Sequence, residues 1–167
     1  RYCDPRRFGS ILWTEDEPLK HKLIKNLGPE PLNEEFDAKY LFSRLRNKEQ
    51  CIKNTIMDSH VVVGVGNIYA SEALYYSRIR PQRISKKVSM KEVNSLVKAI
   101  KNVIKDAIKK GGSTMSDFFD VNGKNGYFQN EHRVYGREKK ACIQCQFLIT
   151  QIKLGQRSSF YCKKCQK

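Results

Sequence analysis

Long apolar runs are absent from this sequence of 167 residues, and none reaches the roughly 18 residues that a membrane-spanning helix needs. Nothing in it is therefore predicted to span a membrane. Internal repeats and low-complexity tracts are also absent, so one large domain or two small ones are expected. An initiating methionine is missing too, since the first residue is Arg1, within an apparent strand. We therefore expect these residues to be the C-terminal part of a longer protein.

Acidic residues are scarce in the chain. Asp and Glu number 17 against 32 Lys and Arg, which gives a formal net charge of +15 and an isoelectric point near 9.7. A protein with this charge attracts polyanions, because binding releases their condensed counterions. Nucleic acid is the predicted partner, and a ribosomal or merely basic protein is the alternative.

The N-terminal half of the sequence is expected to be a strand followed by helices. Residues 1–14 resemble a strand fragment, and Gly28-Pro29-Glu30-Pro31 predicts a stiff connector because proline restricts its own backbone and that of its predecessor. Beyond the connector, the apolar spacing is helical. Phe36, Tyr40, Leu41 and Leu45 indicate a first helix, and Cys51, Ile52, Ile56 and Met57 a second.

The clearest helix is predicted over residues 90–110. Ser89 followed by Glu92 is a capping box, and Gly111-Gly112 is a stop signal. One buried face is predicted from the apolar residues at three-and-four spacing, which are Val93, Leu96, Val97, Ile100, Val103, Ile104, Ala107 and Ile108. The lysines of this helix are expected to form a solvated face.

A glycine-rich turn precedes another helical stretch at Asn67. Gly64-x-Gly66 does not indicate a dinucleotide site, because the third glycine position is Tyr69 and no βαβ unit surrounds it. Asn67 is predicted to be the N-cap, where backbone N–H groups and the helix dipole favour a phosphate. A plain turn into a helix is an equally good interpretation.

The cysteines of the C-terminal segment have the spacing of a metal site. Cys142 and Cys145 form one C-x₂-C pair and Cys162 and Cys165 a second, with sixteen residues between the pairs. Two such pairs supply the four sulfurs of a tetrahedral zinc site, and four cysteines leave no open position for catalysis. One structural Zn²⁺ is therefore predicted, with disulfides as the alternative. The residues between the pairs alternate as expected for a hairpin.

Two basic features are candidates for contacts with nucleic acid. Arg157 lies in the predicted hairpin, and Glu138 is the only acid in residues 133–167. The alternative is an unspecific surface arginine. Arg6-Arg7-Phe8 pairs cations with an aromatic ring, the chemistry that fills a vacated place in a base stack, although a surface strand with one core Phe has the same pattern.

Taken together, these features resemble the bacterial formamidopyrimidine-DNA glycosylases, which repair oxidised purines such as 8-oxoguanine. The resemblance covers the whole chain in six blocks that follow the family's order. The blocks are Asp4-Pro5-Arg6-Arg7-Phe8-Gly9, Leu27-Gly28-Pro29-Glu30-Pro31-Leu32, Val62-Val63-Gly64-Val65-Gly66-Asn67-Ile68-Tyr69-Ala70-Ser71-Glu72, Gly123-x-x-Gly126-Tyr127-Phe128, Val134-Tyr135-Gly136-Arg137, and Phe160-Tyr161-Cys162-x-x-Cys165-Gln166-Lys167.

The resemblance implies a mainly α fold with a small β zinc finger and three segments. Residues 1–26 would be the strand remnant of an N-terminal β-sandwich domain. Residues 27–127 would form a helix–two-turn–helix DNA-binding domain, and residues 133–167 the zinc finger. The implied partner is double-stranded DNA with oxidised bases or abasic sites, bound by a monomer in the bacterial cytoplasm.

The resemblance also implies roles for individual residues. Asn67 and Arg157 would hold phosphates, and Arg157 would also serve the second elimination step. Arg6 would enter the gap left by the flipped base, with Phe8 wedging the stack. DNA contacts are implied for Arg7 and Lys48, and the loop over residues 116–123 would close over the damaged base.

One part of the family's pattern is missing from this sequence. The family's nucleophile is the amine of an N-terminal Pro, assisted by a neighbouring Glu and a more distant Lys. It forms a Schiff base that permits β- and then δ-elimination. Here the first proline is Pro5, an internal amide without a nucleophilic nitrogen. These residues alone are therefore expected to be inactive.

Two other functions remain open at the level of sequence. An endonuclease VIII-type glycosylase for oxidised pyrimidines is the closer one, although the Arg6-Arg7-Phe8 block and the loop before Tyr127 favour the purine enzyme. The other is a zinc-ribbon binding module without catalysis, which explains the charge and cysteines but not the Gly66-Asn67 block.

Overall fold

The computed structural model describes residues 9–112 and 131–167. In the described chain, four α-helices are followed by a two-stranded antiparallel hairpin. The helices are α1 (Ala38–Leu45), α2 (Ile52–Ile56), α3 (Asn67–Tyr76) and α4 (Met90–Lys109), the strands are β1 (Ile149–Leu154) and β2 (Arg157–Cys162), and short 3-10 helices lie at Pro18–Lys20 and Ser85–Lys87. This mainly helical architecture with a small β-hairpin confirms the predicted fold class.

Helix α4 has the start and end that its sequence predicts. The Ser89 hydroxyl accepts a hydrogen bond from the Glu92 N–H, and the Glu92 carboxylate accepts one from the Ser89 N–H. The guanidinium of Arg83 pairs with the same carboxylate and lowers the pKa of Glu92 to about 2. The helix ends before Gly111 and Gly112, whose φ angles of 70° and 89° disfavour any side chain.

The main core forms where α4 packs against α1 and α3. The segment before α3 adds Val61, Val62 and Val65, all buried. Gly28 holds the connector against this segment, since a Cβ at that position would lie 2.5 Å from the carbonyl carbon of Val61. The packing of this segment in the core and against the connector therefore fixes the position at which α3 begins. None of the helices in the described ranges is both long enough and apolar enough to cross a membrane.

The hairpin β1–β2 packs on the C-terminal half of α3. Its register pairs Leu154 with Arg157 across a tight turn at Gly155, which has a φ of 58°. A second small core joins Tyr75 of α3 to Ile149 and Phe160 of the hairpin. The hairpin is therefore built onto the helical part of the molecule.

Two local predictions are wrong. Residues 9–14, the described part of the predicted N-terminal strand, form no strand, and the side chains of Ile11 and Trp13 are 75% and 91% exposed. A strand needs a neighbouring strand for its ladder of backbone hydrogen bonds, and the sheet within the described ranges consists of β1 and β2, which pair with each other. The N-cap of α3 is Gly66 rather than Asn67, which is the first helical residue and makes no side-chain cap bond.

A buried lysine of α2 ties the hairpin to the helices. The side chain of Lys53 is fully buried, and its Nζ donates to the Ser159 hydroxyl at 2.6 Å and to the Ser158 carbonyl at 3.0 Å. Burial lowers the pKa of Lys53 to about 8, and the positive charge of nearby Arg157 acts in the same direction. Lys53 thus holds the strand residues that directly follow Arg157.

Replacing Lys53 by Met should change how stability depends on pH. In the unfolded chain a lysine keeps its proton up to its ordinary pKa of 10.5, whereas in the folded chain Lys53 loses it near pH 8. Between these values the unfolded state binds more protons, so folding of the wild type is favoured as pH rises. The free energy of unfolding of the wild type should therefore rise relative to Lys53→Met over this range, by on the order of 1–3 kcal/mol.

Urea unfolding of both zinc-loaded proteins at several pH values between 7 and 11 would measure this difference. Ionisations that both proteins share cancel in the comparison. A difference in unfolding free energy that stays flat over the whole range would contradict the assignment.

Candidate metal centre and nucleic-acid interface

The four predicted zinc ligands converge at the base of the hairpin. Their Sγ atoms all lie within 4.8 Å of one another, with 3.9 Å between Cys142 and Cys165 and 3.4 Å between Cys145 and Cys162. Cys142 and Cys162 are buried, and the other two are half-buried. The five described cysteines, which include Cys51, are free thiols, so the predicted alternative of disulfides is not seen among them.

The sulfur positions fit a tetrahedral metal ion. With zinc–sulfur bonds of about 2.3 Å, the sulfurs of a regular tetrahedron lie about 3.8 Å apart, close to the distances found here. Burial raises the pKa of Cys165, and its hydrogen bonds with the neighbouring sulfurs raise it further. The cluster can therefore hold one metal ion, and four protein ligands would leave it no open position.

The second cysteine turn is joined to the end of α3 by a buried amide. Gln166 is fully buried, and its Oε1 accepts a hydrogen bond from the Cys162 N–H while its Nε2 donates to the Ile79 carbonyl. The guanidinium of Arg80 donates to the carbonyls of Gln166 and Lys163 at 2.9 Å each. The metal turn is thus held by side chains that sequence reasoning did not identify.

Glu72 of α3 anchors the first residues of the candidate metal-binding segment, which comprises residues 133–167. Its buried carboxylate accepts hydrogen bonds from the N–H groups of Arg133, Val134 and Tyr135 at 2.8, 3.0 and 2.9 Å. Burial raises the pKa of Glu72, and the three N–H donors act in the opposite direction. Glu72 lies within one of the family blocks, but nothing in its spacing indicates a partner more than 60 residues away.

Asn67 lies at the start of α3 beside the metal-binding segment. Its Nδ2 donates to the Tyr135 hydroxyl at 3.3 Å, and its Oδ1 is buried without a hydrogen-bond partner among the described residues. The ring of Tyr135 in turn packs on that of Phe160 in β2, with ring centroids 5.0 Å apart. No acidic residue lies in the first turn of α3. This helix start is therefore electrostatically open to an anion.

Arg157 is exposed at the start of β2, beside the end of α2. It lines an open cleft of about 260 Å³ together with Asn54, Met57 and Asp58. Burial raises the pKa of Asp58, but hydrogen bonds from His60 and the positive charge of Lys48 produce a net decrease. Lys48 and Arg157, both predicted DNA contacts, thus both lie near Asp58.

Other predicted site residues lie outside the described ranges. These are Arg6, Arg7 and Phe8, and the loop over residues 116–123 that was expected to close over the damaged base. The described part of the candidate interface therefore consists of the start of α3, the cleft at Arg157 and the cysteine cluster.

Comparison with known proteins identifies relatives of this arrangement. Residues 27–119 match the family model of the formamidopyrimidine-DNA glycosylase H2TH domain. The formamidopyrimidine-DNA glycosylase of Saccharophagus degradans is 52% identical over 167 residues, and the chain spans 62% of that protein's length.

Solved structures agree with this relationship. The MutM (Fpg) protein of Thermus thermophilus matches with a TM-score of 0.90 and 36% identity, over 98% of this chain and 62% of the other. The Fpg protein of Lactococcus lactis, solved in complex with an abasic site containing DNA, matches with a TM-score of 0.80 and 34% identity, over 87% of this chain and 53% of the other. The family model covers more than half of the chain. The chain therefore belongs to the formamidopyrimidine-DNA glycosylase H2TH domain family.

Proposed function

We propose that this chain is the DNA-binding part of a bifunctional DNA glycosylase and abasic-site lyase. The whole enzyme would excise oxidised purines such as 8-oxoguanine and formamidopyrimidines, and would nick the strand by β- and δ-elimination. Family membership supports the glycosylase, and the Lactococcus lactis relative was solved with DNA that contains an abasic site.

The observation that carries the proposal is the contact of Tyr135 with both halves of the interface. Its hydroxyl meets Asn67 at the start of α3, and its ring meets Phe160 of β2. The start of α3 and the strand β2, which begins at Arg157, are thereby held side by side. An extended anion that lies along this surface would meet both of them, as a DNA backbone does.

The start of α3 is proposed to bind a DNA phosphate. The first N–H groups of a helix have no partner within the helix, and the helix dipole favours negative charge there. The buried Oδ1 of Asn67 adds a polar atom that lacks a partner among the described residues. As an amide oxygen it can only accept, so the group that completes it would be a donor such as an ordered water, while the helix N–H groups would hold the phosphate.

Arg157 is proposed to bind a second phosphate and to supply the proton for δ-elimination. Its exposure at the hairpin turn leaves the guanidinium accessible to a backbone phosphate, and Lys53 holds the two residues that follow it. Lys48, whose charge acts on Asp58 of the same cleft, would add a further DNA contact. Arg6 and Phe8 would fill the gap left by the flipped base, and Arg7 would lie close to the same DNA.

The cysteine cluster is proposed to hold one structural Zn²⁺ through Cys142, Cys145, Cys162 and Cys165. The ion would neutralise the thiolates and stabilise the two turns that support the hairpin. It would take no part in the reaction, since the four cysteines fill a tetrahedral site.

Arg157→Ala should weaken DNA binding and reduce its dependence on salt. Loss of one phosphate contact should lower the slope of log K against log salt concentration by about 0.9. Titrations of a fluorescent duplex at four or more salt concentrations would measure the slope. Lys105→Ala is the matched control, because Lys105 is exposed on α4. An Arg157→Ala slope equal to that of the wild type would argue against the phosphate contact.

Chelation of the metal should unfold the hairpin and abolish DNA binding. Because the binding energy of a structural zinc is also folding energy, its removal should release β1–β2 from α3 while α4 stays helical. Backbone NMR spectra and DNA titrations before and after chelation, and again after zinc is restored, would follow both effects. Cys51→Ser should behave as wild type. Full DNA affinity in the zinc-free protein would contradict this role of the finger.

The 167 residues by themselves should bind abasic-site DNA without forming a covalent adduct. They lack the N-terminal Pro that the family uses as nucleophile, so the amine that would form the Schiff base trapped by borohydride is missing. Gel analysis after borohydride treatment would measure the adduct, with a longer protein that carries the family's Pro-Glu start as positive control. A trapped adduct with the 167 residues would refute the expectation.

The substrate preference of the longer protein distinguishes the proposed function from that of an endonuclease VIII-type glycosylase. Duplexes with 8-oxoguanine opposite cytosine should be cleaved faster than duplexes with thymine glycol. The reverse preference would favour the endonuclease VIII-type enzyme instead.

A further inference from the structure

Tyr75 places a hydroxyl group against the metal centre. It is the penultimate residue of α3 and is 5% exposed, and its Oη lies 3.4 Å from the Sγ of Cys142. Cys142 lies 67 residues further along the chain. This contact therefore joins the helical DNA-binding part to the cysteine cluster.

Cys142 is a sulfur that needs hydrogen-bond donors. It is fully buried, so water does not reach it. The backbone N–H groups of Gln144 and Cys145 point at its sulfur, as the turn of a C-x₂-C pair allows. A metal-bound thiolate carries no proton and can only accept, so the hydroxyl of Tyr75 must be the donor. Tyr75 thus adds a side-chain donor to two backbone donors.

The position of the Tyr75 ring is set by packing rather than by its hydroxyl. The ring is part of the small core that contains Val134, Ile149 and Phe160. It also meets the ring of Tyr76 edge to face, with centroids 5.8 Å apart. Removal of the hydroxyl alone is therefore expected to leave the ring in place.

We propose that Tyr75 is an outer positioning residue of the metal centre, whose hydroxyl donates to the Cys142 thiolate and strengthens metal binding. Groups that hydrogen-bond to a metal ligand orient it and adjust its electron density. Four thiolates give a zinc site excess negative charge, and each donor disperses part of it. Because Tyr75 belongs to α3, formation of the metal site is coupled to correct docking of the hairpin on that helix. The inference rests on the proposed zinc site.

The test compares Tyr75→Phe with Tyr76→Phe in the full chain loaded with Co²⁺ or Zn²⁺. Tyr76→Phe is the matched control, because the Tyr76 side chain is 52% exposed and its hydroxyl accepts a hydrogen bond from Arg133 instead of contacting the cysteine cluster. Competition with a chelator would measure metal affinity, and the sulfur-to-cobalt charge-transfer band would report the electron density on the thiolates.

Tyr75→Phe should bind zinc at least about tenfold more weakly than the wild type. Its charge-transfer band should move to longer wavelength, because a thiolate that loses a donor gives up an electron more easily. Tyr76→Phe should match the wild type in both measurements. Together these results would support the proposal.

Two results would overturn the proposal. Unchanged affinity and an unchanged band in Tyr75→Phe would show that the hydroxyl does not act on the thiolate, and a loss of thermal stability with an unchanged band would show that the tyrosine serves packing alone. If the wild type failed to give a four-thiolate cobalt spectrum, this would instead contradict the proposed zinc site, and the inference about Tyr75 would fall with it.

Discussion

The carboxylate of Glu72 is the contact on which the arrangement of this molecule depends. It is buried in α3 and accepts hydrogen bonds from three consecutive N–H groups where the metal-binding segment begins. Without it, three buried or half-buried donors would lose their partner, and each buried unpaired donor costs about 1–3 kcal/mol. Glu72 thereby fixes where Tyr135 lies, and Tyr135 contacts both Asn67 and the hairpin.

Three further ties between the two parts are also buried and polar. Lys53 bonds to β2, Gln166 connects a cysteine turn to the end of α3, and Tyr75 reaches the sulfur of Cys142. Each group needs its partner in one position, because a buried polar atom without a partner is costly. The helix start and the hairpin are therefore held in place relative to each other. The proposed phosphate sites would then need little ordering on binding, which would favour affinity.

Local features of the fold could be predicted with accuracy, and features that need a partner could not. The capping box at Ser89 and the glycines after α4 act within one turn of the helix, so their residues suffice to predict it. The predicted N-cap of α3 was wrong because Asn and Gly both suit that position, and the backbone angles select Gly66. The strand over residues 9–14 is absent because the described chain offers it no neighbouring strand.

The sequence by itself determined the basic charge, the helical periodicity, the family and the identity of the four cysteines. All of these depend on composition or on short spacings, and two C-x₂-C pairs have the spacing of a tetrahedral metal site. Only the tertiary structure decided that Glu72, Lys53 and Tyr75 join the helices to the metal-binding segment. Their partners lie between 61 and 106 residues away, so no periodicity records them. Such contacts exist only once α3 and the hairpin have packed together.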